Sequence, residues 1–242
     1  MALRDVTITW LGHSTFLIET PEGKKILVDP FVQSNPSCPK SFHNVEADGI
    51  LITHGHNDHI GDLFSIAERT SGPIVGIFDL TTWAGTKGVD GERLVGMNKG
   101  GTVKVDALDI TVTMTDARHS SSFQEEDGSL VYLGEPAGFV IRFSNQEALY
   151  IAGDTSLFGD MEWIGELYGP TVGILPIGDH FTMDPHQAAI ACELIGLETV
   201  IPCHYGTFPL LTGTPEALKA SLDRLGEETK VVVLTPGESH RF

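Results

Sequence analysis

Apolar and polar residues alternate along 6–19 and again along 24–28, with Pro21-Glu22-Gly23 between them, a spacing that predicts a β-hairpin. Leu108, Ile110, Val112 and Met114 recur at every second position within 103–115, and 138–143 faces 148–152 across Ser144-Asn145-Gln146-Glu147. More antiparallel sheet is expected there. After Gly153 the period changes: an apolar run over 172–177, a helical pattern over 185–195, a short strand over 199–202, a second helix from Pro215, and apolar 230–234. Asp184-Pro185 and Thr214-Pro215 each set an N-capping residue before proline at the first helical position. The Gly-rich stretch 85–101 and the acidic 124–128 read as connections or flexible lids, because strand-like sequence resumes after each. No sequence repeat interrupts this order. Sheets with helices segregated to their outer faces predict a layered α/β sandwich, with 1–242 forming a single domain.

Composition narrows the class. At 242 residues, 41% hydrophobic and 20% charged, the chain has the make-up of a globular protein able to bury a real core. No apolar run approaches the length of a membrane span. Met1-Ala2-Leu3-Arg4-Asp5 leads into Val6-Thr7-Ile8 without the apolar stretch of a signal peptide, which argues against export. Cys38, Cys192 and Cys203 are odd in number and lack framework spacing, as expected of structural reduced thiols in the cytoplasm. A net charge of −18 disfavours a phosphate backbone or an anionic membrane as partner and favours a small-molecule substrate. Oligomeric state has no signature here.

The chemistry concentrates where apolar Ile50-Leu51-Ile52 runs into Thr53-His54-Gly55-His56-Asn57-Asp58-His59, ahead of a helical pattern over 63–68. His54 and His56 are two apart, so an extended segment points both imidazoles the same way. Asp58 and His59 fall past the turn that Gly55 permits and can face a neighbouring position. His119, Asp154 and His204 each end a further predicted strand. Seven imidazoles and carboxylates exceed what one tetrahedral ion uses, so two divalent ions are expected, with zinc first and manganese or iron also suited to the set.

This stretch resembles the HxHxDH signature of the metallo-β-lactamase superfamily. The resemblance continues in order through His119-Ser120, Gly153-Asp154-Thr155 and Pro202-Cys203-His204-Tyr205-Gly206-Thr207. It implies a four-layer αββα sandwich, with His54, His56 and His119 on one metal, Asp58, His59 and His204 on the other, and Asp154 bridging. Trp10-Leu11-Gly12-His13-Ser14, Leu27-Val28-Asp29-Pro30, 134–139, Leu175-Pro176-Ile177-Gly178 and Phe181-Thr182-Met183 are most similar to a branch of compact hydrolases related to ascorbate-6-phosphate lactonases. Asp184 stands where that branch more often has glycine. True β-lactamases usually carry a cysteine ligand near the fourth motif, where this chain offers the carboxylate of Asp154.

Around these ligands, Asp29 is either a turn residue or the acceptor of a hydrogen bond from a ligand imidazole. By the same resemblance His13 is expected near the cavity but outside the ligand set, with a plain core histidine as the competing reading. His180, after the strand over 172–177, is a candidate substrate contact that donates to an oxyanion or a leaving group. Cys203 adjoins His204 on a strand and should face the opposite way, into the core. His43, His186 and His240 read as surface residues, and Trp83 as local packing with a pocket wall as the alternative. The expected reaction is hydrolysis of a lactone, ester, amide or phosphodiester by a hydroxide bridging two metals and oriented by Asp58. A metal-dependent nuclease, an iron-dependent oxidoreductase and a non-catalytic protein on the same fold are the alternatives.

Overall fold

The computed structural model describes residues 3–242; Met1 and Ala2, which open the stretch read above for a signal peptide, lie outside the described residues. The first half lays down β1 (Thr7–Trp10), β2 (Phe16–Glu19), β3 (Lys25–Val28), β4 (Gly49–Leu51), α1 (Asn57–Ile60), α2 (Leu63–Ala67), β5 (Ile74–Ile77), α3 (Phe78–Thr86) and β6 (Leu94–Met97). The second half supplies β7 (Thr102–Val105), β8 (Ile110–Asp116), β9 (Ser122–Gln124), β10 (Leu130–Tyr132), β11 (Ala137–Arg142) and β12 (Ala148–Ile151). It continues with α4 (Met161–Tyr168), β13 (Val172–Pro176), α5 (Pro185–Ile195), β14 (Thr199–Cys203), α6 (Pro215–Leu225), β15 (Lys230–Val231) and β16 (Ser239–Arg241).

Two seven-stranded sheets form, ordered β16-β1-β2-β3-β4-β5-β6 and β15-β14-β13-β12-β11-β8-β7, with β9 and β10 pairing apart from both. Strict alternation separates the faces of the second sheet. Phe139, Ile141, Leu149, Ile151, Ile174 and Ile201 point into the core shared with the first sheet, whereas Val140, Tyr150, Leu175 and Val200 pack under the helical residues Ile164, Ala188, Cys192 and Leu218. Helices flank both large sheets, giving the expected αββα sandwich. No helix among the described residues is long and apolar enough to cross a membrane.

Strand direction places the site. β1 is antiparallel to β2, β2 is antiparallel to β3, and β3 is parallel to β4, so β1, β3 and β4 run the same way. In the other sheet β8, β12, β13 and β14 are likewise co-directed, because β8 and β12 are both antiparallel to β11. The segments leaving the C-terminal ends of these seven strands carry His13, Asp29, His54, His119, Asp154, His180 and His204.

Three sequence expectations need correction. The alternating arm 6–19 is not continuous: Gly12 at φ 96° and His13 at φ 54° turn the chain, and Thr15 N–H donates to Gly12 O, so β1 and β2 form a hairpin ahead of the expected β2–β3 hairpin. Gly12 is needed there, since a side chain is rarely stable at that φ. The stretch 103–115 also breaks, at a 3-10 turn over Asp106–Leu108 closed by left-handed Asp109, and becomes the β7–β8 hairpin. Finally, 85–101 is no lid. It holds the end of α3 and the edge strand β6, whose Leu94, Val95 and Met97 register against β5; Trp83 accordingly sits on a helix rather than in a loop.

Candidate metal centre

The centre grows from the loop after β4. Buried Asp29, at the end of β3, accepts hydrogen bonds from Thr53 N–H at 2.8 Å, from Thr53 Oγ1 at 2.7 Å and from His59 Nδ1 at 2.8 Å. These bonds fix tautomers. Thr53 has one hydroxyl proton and gives it to Asp29, so at its 3.0 Å contact with His54 Nδ1 it accepts, and the lone pair of His54 falls on Nε2. His59 likewise gives its Nδ1 proton to Asp29 and turns Nε2 toward Asp154, 3.3 Å away. Asp29 is therefore an orienter of ligand imidazoles as well as a turn residue. Thr53, as the relay, carried no sequence signal beyond its place in the motif.

Asp154 is 2% exposed and lies at the convergence. Its Oδ2 is 2.9 Å from His204 Nε2, 3.3 Å from His59 Nε2 and 3.7 Å from His119 Nε2. Gly153 before it has φ 63°, and a Cβ there would come within 2.7 Å of Ala137 O, so only glycine lets the chain deliver Asp154 at this angle. Ligand-capable atoms fall into three overlapping groups: His54, His56 and His119; His54, His59 and Asp154; and His13, Asp58, His59 and His204. All seven sequence-identified candidates are thus brought together. His13, expected near the cavity, lies beside them, with Nε2 3.1 Å from Asp58 Oδ2 and Nδ1 3.1 Å from Thr207 Oγ1. The β1–β2 turn puts it there, and His204 N–H donates to His13 O, locking that turn to the end of β14.

The arrangement fits metal ions. Tetrahedral bonds of about 2.0–2.1 Å separate neighbouring ligand atoms by about 3.3 Å, and the contacts around Asp154 bracket that spacing. His54 Nε2 and His56 Nδ1 face each other at 3.0 Å. His59 Nε2 and Asp154 Oδ1 are buried without a hydrogen bond, an arrangement that is costly unless a cation sits between such atoms. Burial pushes His54 well below the usual imidazole range, and burial likewise takes His56 and His13 down to about 4 and lowers His119. These rings are therefore neutral at pH 7, the form that ligates. Burial also opposes charge on Asp154 and Asp58. Nearby His204 and His59 overcome it at Asp154, and the His13 hydrogen bond with His59 at Asp58, so both carboxyls are held below their ordinary value. At His59 burial is outweighed by Asp154 and Asp29, which raise it.

His180 is exposed, beside Phe181, and lies outside all three groups. It shares an unusual backbone with the site: His13, Asp29, Asp179, His180 and His204 are all left-handed, a conformation uncommon outside glycine. Ser120 Oγ contacts His56 Nε2 at 3.0 Å, and Asn57 clasps the backbone of Gln124 with two hydrogen bonds, contacts without a signal in residue type or spacing. Cys203 packs in the core between the sheets, where burial pushes its thiol well up. His186 is exposed, whereas His43 and His240, expected at the surface, are half-buried.

Two helix-flanked sheets with a histidine-aspartate cluster at their strand ends define a metal-dependent hydrolase of the metallo-β-lactamase fold. The beta-lactamase superfamily domain matches residues 24–205. Over 240 residues the chain is 52% identical to a UPF0173 metal-dependent hydrolase of Roseiflexus sp., covering 98% of this chain and 97% of that protein. It is 47% identical over 233 residues to one of Methanopyrus kandleri, covering 96% and 98%. A metallo hydrolase from the hyperthermophilic archaeon Ignicoccus hospitalis superposes with TM-score 0.85 at 38% identity, covering 98% of both chains. The chain belongs to the UPF0173 metal-dependent hydrolase family.

Proposed function

We infer that this protein is a single-domain hydrolase that holds two divalent ions, zinc by preference, and cleaves a small-molecule lactone, ester, amide or phosphodiester. The observation that carries it is buried Asp154, whose Oδ2 reaches His59 and His204 of one group and His119 of the other. His54, His56 and His119 would hold one ion, Asp58, His59 and His204 the second, with His13 beside the second. Ions held there would supply Lewis-acid chemistry, lowering the pKa of a bound water toward about 7 and polarising the scissile group. Nitrogen-rich imidazole sets suit zinc.

The chain's own residues do the rest. Asp58 is the partly open member of its group, with 35% of its side chain exposed, and His13 keeps its carboxylate aimed. It orients the attacking water and takes its proton. His180, held in a strained conformation at the rim of the loop after β13, contacts substrate and donates to the leaving group. The acidic surface favours a small substrate over nucleic acid, since the cations near His119 are already paired, Lys99 with Asp116 and Glu135, and Arg118 with Asp116 and Asp160.

A screen of zinc-reconstituted protein against lactones, carboxylic esters, amides and phosphodiesters tests this reading, with Asp58→Asn as control. Turnover of an accepted substrate is expected to fall about a hundredfold in the variant, with a smaller loss of metal. Near-normal turnover at full metal loading would remove Asp58 from the mechanism, and oxygen uptake in place of hydrolysis would overturn the reaction class.

A further inference from the structure

Beside the metal loop, on the far side of the Asn57–Gln124 clasp, lies a cleft of about 770 Å³ between α2, α3 and the β9–β10 hairpin. Its wall is aromatic. Trp83 packs between Phe64 and Phe123 with ring centroids 5.3 Å from each, and all three rings are only half-buried. Core aromatics close on one another; these three line an opening of the size that ligand sites have. Asn57, which also lines the cleft, stands between His56 and Asp58, so a group in the cleft is one residue from the metal ligands.

The rim fixes the charge. Glu125, Glu126 and Asp127 border the cleft with Lys87, and among the described residues only Glu125 of these acids has an ion-pair partner. Lys87 Nζ is 2.8 Å from Glu125 Oε1 and 5.6 Å from the centroid of the Trp83 ring. The protein's own ammonium thus occupies a position between a carboxylate and an indole face, an arrangement that favours cations. An anion entering here would meet two unpaired carboxylates.

We propose that this cleft is a subsite for the non-reacting part of the substrate and takes an aromatic ring carried on a neutral or cationic molecule, while rejecting anionic ones. This deepens the hydrolase reading above and rests on it for the word substrate. The ring stacks on Trp83 and Phe123, and a cationic substituent takes the place Lys87 now fills at Glu125.

The test uses the full-length zinc-loaded protein and three probes with one ring: benzylamine, benzyl alcohol and benzoate. Indole N–H signals of the three tryptophans are followed by NMR during titration. Benzylamine and benzyl alcohol are expected to move the Trp83 signal saturably, with benzoate at least tenfold weaker, and Trp83→Leu should abolish binding of the amine and the alcohol as read from line broadening of their own proton signals. Lys87→Met, a surface change that leaves the fold intact, should tighten benzylamine several-fold and leave benzyl alcohol unchanged. Benzoate binding as well as the amine, equal movement of exposed Trp163, or weaker benzylamine in Lys87→Met would overturn the subsite. Ring binding and turnover are read separately. Selective binding without hydrolysis of any lactone, ester, amide or phosphodiester would sink the hydrolase reading alone, and hydrolysis indifferent to an aryl group, without binding, would sink the subsite alone.

Discussion

Asp29 reaches no substrate, yet through Thr53 and His59 it decides which nitrogen of two imidazoles faces the cavity. Loss of such an orienting partner costs about 10–100-fold in metal affinity. Asp29→Asn is therefore expected to weaken zinc binding by that factor in a chelator-competition assay while the fold persists. An unchanged affinity would mean that the imidazoles are held by packing alone. Much of this layer was legible in the chain: imidazole and carboxylate at apolar strand ends already pick out His54, His56, Asp58, His59, His119, Asp154 and His204. The contact of His13 with Asp58 was not legible beyond the expectation that this ring lies near the cavity. It depends on a left-handed turn at Gly12 and His13 and on a backbone hydrogen bond to His204, which is 191 residues away in sequence.

At the level of elements, period-2 patterns located strands well and their interruptions poorly. A three-residue 3-10 turn within 103–115 keeps the apolar residues facing the core, so alternation alone cannot reveal it. Edge strand β6 was hidden because its Gly96, the glycines around it and its half-exposed positions look like a connection, and only pairing with β5 reveals it. Helix starts were clearer, because capping is local chemistry. Asp184 departs from the glycine expected by resemblance, and the structure gives it a role as the N-cap of α5: its side chain accepts from Gln187 N at 2.7 Å, and Gln187 Oε1 accepts from Asp184 N at 3.3 Å. Asp184→Ala is expected to cost about 1 kcal/mol in urea unfolding, and Asp184→Gly only a few tenths. Metal content should not change in either variant, and a parallel loss of metal would show that the cap shapes the site.

For the molecule as a whole, the site and the fold draw on one set of buried charges. In the metal-free protein His54, His56, His13 and His119 have lowered folded-state pKa values, so the unfolded chain binds more protons below about pH 6.5. Their contribution to stability is lost as pH falls from about 6.5 toward 4. His59, raised, acts in the opposite window: its stabilisation is complete below about pH 6.5 and fades only as pH rises through its folded value, so it does not mask the acid slope. The urea midpoint of chelated protein is expected to drop between pH 7 and pH 5, and a flat midpoint would mean that these imidazoles are not buried neutral. Zinc should raise the midpoint at pH 7 above that of the chelated protein, because an ion bound only by the folded state stabilises it. The central claim is that one fold holds two ions bridged by Asp154. Anomalous diffraction from zinc-soaked crystals tests it most directly. Two peaks per chain are expected, one among His54, His56 and His119 and the other among Asp58, His59 and His204, with Asp154 between them; a single peak at saturating zinc would contradict it.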